Sequence, residues 1–154
     1  MRKSIDAFLE RLLILVILVM LMAVAWQVIS RYVLGAPSTF TDEIASYALI
    51  WLGLFGAAYA TGKELHLAID LIPKSTLAKS PRFFLGFVTV SVIVFAVLVM
   101  VVGGIRLCWL TWVLDQKSAV LKIPLAFVYL VLPVSGILMV YYSFDSYRQK
   151  TKMM

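Results

Sequence analysis

The sequence predicts an all-α membrane protein. It reads as four transmembrane helices with a short amphipathic interfacial helix between helices 2 and 3, and both termini inside (N-in/C-in). Three observations predict this: an apolar composition, four charge-free windows, and an uneven distribution of cations. Of 154 residues, 63% are hydrophobic and 14% are charged, and the mean hydropathy is +1.00. Soluble domains run near about 45–50% apolar and about 25% charged. A 17.3 kDa globule has too much surface to stay in water with so few charges. The net charge of +6 could point to nucleic acid, but the 14 Lys and Arg flank long apolar runs instead of forming a basic face. No nucleic-acid partner is expected. The single cysteine, Cys108, excludes an internal disulfide and any multi-cysteine metal site.

The windows free of Asp, Glu, Lys and Arg are Leu12–Ser30 and Ile44–Gly62, with 19 residues each, Phe83–Ile105 with 23, and Ile123–Phe144 with 22. At about 1.5 Å per residue, each is long enough to cross a hydrocarbon core of about 30 Å. Membrane strands would alternate apolar and polar residues, which runs such as Leu12–Leu18 do not. The expected spans are about 12–34, 42–62, 83–105 and 123–144, with an interfacial segment at 64–80, all in one integral membrane domain of residues 1–154. The first window is read as a retained span: its apolar stretch outlasts a signal core, and Asp6 and Glu10 precede it. With the N-terminus inside, ten cations fall on inner segments (Arg2, Lys3, Arg11, Lys63, Lys74, Lys79, Arg82, Arg148, Lys150, Lys152). Four fall on outer ones (Arg31, Arg106, Lys117, Lys122). That bias sets both termini in the cytoplasm.

After the first span, Gly35 and Pro37 end the helix, and Ser38, Thr39 and Thr41 offer a cap for the second. Asp42 and Glu43 then fall in the first turn, where carboxylates complement the helix dipole. They are equally placed to pair with Arg31 or with a partner protein, since charges this close to lipid are costly unpaired. Helix 2 carries Gly53, Gly56, Ala57 and Ala60 at offsets 0, 3, 4 and 7, one helical face. Small residues let helices approach closely in lipid. The spacing leaves two readings open, packing within this bundle or docking on a larger membrane partner. Trp51, Tyr47 and Tyr59 put aromatic bulk elsewhere on the helix.

Leu65, Ala68, Ile69 and Ile72 repeat at helical spacing, and Pro73 ends the pattern. His66, Asp70 and Glu64 lie there too. A zinc-type site needs three or four ligands and no second His exists, so no metal is expected. His66 is read as part of a polar face at the head groups, and Lys74, Lys79 and Arg82 as a cationic patch for phospholipid. Further on, Trp109 and Trp112 are placed in the second outer loop as an interfacial aromatic belt. Pro133 and Gly136 are positioned to bend helix 4.

The windows hold no ionisable residue, where a transport pathway usually needs one. Nor does the chain show a nucleophile–base pair or a phosphate-cradling glycine loop. Neither catalysis nor a cofactor is expected. A subunit that works by contact survives this filter: an accessory scaffold or, alternatively, a membrane anchor for an unrelated complex.

One stretch narrows the choice. Arg31-Tyr32-Val33-Leu34, Pro37, Phe40-Thr41-Asp42-Glu43-Ile44, Tyr47, Trp51, Gly56, Glu64-Leu65-His66 and Asp70 together resemble the small membrane subunit of TRAP (tripartite ATP-independent periplasmic) transporters, the DctQ-like family. Phe40 stands where that family commonly has Trp, and Lys63 where it commonly has Gly. The resemblance covers about residues 26–73; the other half agrees in hydropathy and length. It implies an inner-membrane scaffold beside a large multi-span subunit that carries the substrate and sodium sites and moves as an elevator. A periplasmic substrate-binding protein would deliver an organic acid, such as a C4-dicarboxylate or a sialic acid. On this reading the candidate subunit-interface residues are Arg31, Tyr32, Asp42, Glu43, Trp51, Gly53, Gly56, Ala57 and Ala60.

Overall fold

A computed structural model describes residues 2–36, 38–63 and 81–153. The expected interfacial helix at 64–80, with His66, Lys74 and Lys79, lies outside these. The described residues are helical almost throughout. They include four helices long and apolar enough to cross a membrane: Ser4–Tyr32, Thr39–Gly62, Gly86–Val113 and Leu125–Gln149.

Helix α1 (Arg2–Tyr32) and α2 (Thr39–Gly62) are joined by a tight turn. Gly35 takes a φ of +65°, the left-handed conformation that glycine adopts without a Cβ penalty. Ser38 is the N-cap of α2, and its hydroxyl accepts from the Thr41 N–H. The two helices therefore return antiparallel and pack along each other.

The third span combines α3 (Pro81–Phe95), a π-helical stretch (Ala96–Gly103) and α4 (Gly104–Val113) without interruption. It runs past the window that ended at Ile105. One charge, Arg106, does not stop a helix whose other residues remain apolar, so Trp109 and Trp112 sit on α4 and not in the following loop. The fourth span breaks into α5 (Leu125–Tyr129) and α6 (Val131–Met153). Pro133 supplies the reason: it has no N–H for the Tyr129 carbonyl, so the helical ladder cannot run through.

Packing proceeds from α1 to α2, from α2 to α6, and from α6 to the third span. Leu9, Phe55, Val131 and Tyr142 form one core cluster, and Ala58, Ala96, Met100 and Met139 form a second. Close approach is built on glycine. A Cβ on Gly136 would lie 2.8 Å from the Met100 Cβ and 3.2 Å from the Ala96 carbonyl oxygen, so α6 presses directly on the π-helical stretch. Gly62 seats the Tyr142 ring in the same way, at 2.7 Å. Most of α1 and the outer faces of the third span expose large apolar side chains, as a surface meeting lipid or another membrane protein does.

Candidate functional site

The corner where α1 turns into α2 gathers one set of polar contacts. The Ser30 hydroxyl donates to the Gln27 carbonyl at 3.0 Å and accepts from the Ser38 N–H at 3.3 Å. Gln27 Nε2 donates to Asp42 Oδ1 at 3.0 Å, tying the last turns of α1 to the first turn of α2.

Glu43 reaches further. Its carboxylate accepts three consecutive backbone N–H groups from the loop after α4: Ala119 at 3.0 Å, Val120 at 3.1 Å and Leu121 at 2.8 Å. The Tyr47 hydroxyl donates to the same carboxylate at 2.8 Å. Successive N–H groups converging on one anion form a nest, and here the anion is a side chain from another element. The loop curls to present them: Asp115 and Lys122 adopt φ of 47° and 57°, and Lys117 bridges to Pro124. Glu43 thus fastens the loop between the third and fourth spans to the start of α2.

The sequence-expected pairing of Arg31 with Asp42 or Glu43 does not form among the described residues. Both carboxylates are already satisfied, by Gln27 and by the nest. The Arg31 guanidinium lies 6.0 Å from the Tyr32 ring centroid, and both residues are exposed at the end of α1.

Trp51, expected at a subunit interface, is half-buried and makes contacts within the chain. Its indole N–H donates to the Val128 carbonyl at 3.1 Å, beside the break between α5 and α6, and its ring meets Phe55 edge-on at 5.9 Å. It packs on the inner cluster. The small-residue face of α2 is different. Gly53 and Ala57 are exposed, Gly56 and Ala60 half-buried, and a Cβ on Gly53 or Gly56 would meet nothing within 4 Å. Phe55, Ala58, Thr61 and Gly62, on the opposite face of α2, are buried within the chain, as is Thr41 in its first turn. Trp109 and Trp112 are exposed near the end of α4. Arg82 falls in the first turn of α3.

At the other end of the bundle the structure shows a polar latch that sequence reasoning missed. Arg2 donates to Asp145 at 2.7 Å and to the Gly62 carbonyl, and the Tyr142 hydroxyl donates to Asp6 at 2.6 Å. It joins α1, the end of α2 and α6. Asp6 and Asp145 flanking two spans in the sequence was the available signal. Two further grooves are lined by apolar and aromatic residues, one by Leu15, Val19, Ile44 and Trp51 among others, the other by α4 and the fourth span. No group of three or more metal-ligating side chains occurs among the described residues.

The arrangement fastens helices to one another and leaves one small-residue face open. The family model for the DctQ component of tripartite ATP-independent periplasmic transporters matches residues 5–152. The chain belongs to this family. A protein of Haemophilus influenzae named as a TRAP transporter small permease is 24% identical over 135 residues, covering 88% of this chain and 80% of that protein. The resemblance carried by residues 26–73 therefore extends over nearly the whole chain. The DctQ chain is a membrane transporter component, small beside the other parts of a tripartite system.

Proposed function

We propose that this DctQ chain is the fixed scaffold of its transporter, seated on a large multi-span membrane subunit through Gly53, Gly56, Ala57 and Ala60 of α2. One observation carries the reading. Glycines that serve internal packing, Gly62, Gly104 and Gly136, would each bring a Cβ within 3.0 Å of a neighbour, whereas Gly53 and Gly56 face open space. A small-residue face left open in lipid is suited to close approach by another helix. Exposed Arg31 and Tyr32, at the end of α1, are offered as a second contact. Asp42, Glu43 and Trp51 support it from within.

In this role the chain holds no solute and catalyses nothing. The large subunit carries the substrate and sodium sites and moves as an elevator. A periplasmic binding protein delivers an organic acid of the C4-dicarboxylate or sialic acid kind. The chain lies in the inner membrane with both termini cytoplasmic, and the 64–80 segment with His66, Lys74, Lys79 and Arg82 rests on phospholipid.

Gly56→Leu tests the docking. Co-purification of the two membrane subunits from mild detergent should fall, while the variant alone keeps its helix content and its unfolding midpoint. Intact co-purification would mean that this face meets lipid instead.

A further inference from the structure

Arg106 is a charge with no ion-pair partner among the described residues. It lies in α4, inside the apolar run Gly86–Val113, and is exposed. No carboxylate among the described residues pairs with it. Val113 is seven residues further on, so Arg106 sits about 10 Å along the axis from the helix end. An unpaired guanidinium at that depth is costly unless it finds an anion.

Beside it runs an apolar groove of about 330 Å³. Ile105, Trp109 and Trp112 form one wall, and Ala126, Phe127 and Leu130 the other. Trp112 meets Phe127 edge-on at 6.2 Å. Arg106 stands three residues before Trp109. Helical periodicity puts it on the flank of this groove, about one turn before Trp109 and nearly two before Trp112.

We propose that this groove is a phospholipid-binding site, with one acyl chain between the aromatic walls and the lipid phosphate on Arg106. An apolar slot with a single cation at its flank is complementary to a phospholipid. The planar guanidinium offers paired donors to phosphate oxygens. A protein helix fits less well, because the walls are bulky aromatics where close helix association uses small residues. Those small residues are on α2, not here. The site adds a fixed lipid to the scaffold reading and does not depend on which subunit α2 meets.

The test places the photo-crosslinking residue p-benzoylphenylalanine at Trp109 in the full transporter in its membrane, with a second copy of the experiment at lipid-facing Val90. Intact mass should show a phospholipid adduct at both positions. Adding Arg106→Gln should reduce the adduct at position 109 by about fivefold, the weight of one cation near anionic lipid. Arg106→Lys, which keeps the charge but loses the paired donors, should give an adduct between the two, and the adduct at position 90 should not change. A cross-link from position 109 to another protein, no lipid adduct there, or an adduct indifferent to Arg106→Gln would each overturn the site. None of these outcomes bears on the Gly56→Leu result.

Discussion

Trp51→Phe tests a single hydrogen bond. The substitution keeps an aromatic ring against Phe55 and removes the N–H that reaches the Val128 carbonyl at 3.1 Å, together with the second ring of the indole. Val128 is 4% exposed, so water does not replace the lost donor. A buried acceptor left unmet costs about 1–3 kcal/mol. Hydrogen bonds between membrane helices average about 0.6 kcal/mol and reach about 1.7, because the unfolded chain in lipid also finds partners. The overlap of these ranges gives an expected loss of about 1–1.7 kcal/mol. Trp51→Ala also removes the ring and should lose about 3–5 kcal/mol. Reversible unfolding of the purified chain in mixed micelles with rising SDS, followed by circular dichroism, measures both. If Trp51→Phe unfolds like the unaltered chain while Trp51→Ala shows its full loss, the indole bond does not hold the break in the fourth span, and packing alone does.

Three other outcomes follow from the same geometry. Glu43→Ala should speed hydrogen exchange at the amides of Ala119, Val120 and Leu121, with Glu43→Gln intermediate, because the neutral amide keeps an acceptor but loses the charge; unchanged exchange would remove the nest from the account. Gly136→Ala should destabilise the chain by overpacking of about 1–3 kcal/mol, offset by up to about 1 kcal/mol of helix propensity. Gly53→Ala, with open space around it, should be neutral or gain up to that propensity term, and SDS unfolding compares the two. The Arg2–Asp145 pair has side chains 26% and 32% exposed, so a double-mutant cycle with Arg2→Ala and Asp145→Asn should show coupling below about 1 kcal/mol.

The four spans were legible because lipid enforces one rule on every residue of a window, and 19 to 23 uncharged residues in a row satisfy it visibly. The turn between α1 and α2 was legible for a local reason: Gly35 and Ser38 state their backbone needs in their own chemistry. The end of the third span was not. A charge count stopped it at Arg106, whereas helix stability depends on the neighbours, and Leu107 to Val113 continue the helix. The corner chemistry was half legible. That Asp42 and Glu43 need partners follows from their position, but Arg31 was only the nearest cation by sequence. The real acceptor-seeking groups on Glu43 are backbone amides some 76 to 78 residues away, and backbone carries no sequence signature.

The glycines make the same division at the level of function. Offsets of 0, 3, 4 and 7 say that Gly53, Gly56, Ala57 and Ala60 share a face, and nothing in the spacing says what the face meets. Gly62 and Gly136 look no different in the sequence, yet each is filled from across the bundle, by Tyr142 and by the Met100 turn. Only the packing of α2 on α1 and α6 decides which of its faces is used. Once Phe55, Ala58 and Thr61 are turned inward, 3.6-residue periodicity leaves the small residues outside. Nothing among the described residues fills the space at Gly53 and Gly56, so the proposed docking would use a face that the chain's own packing does not. The Gly56→Leu and Gly53→Ala pair separates that use, since bulk there should cost assembly and leave folding intact.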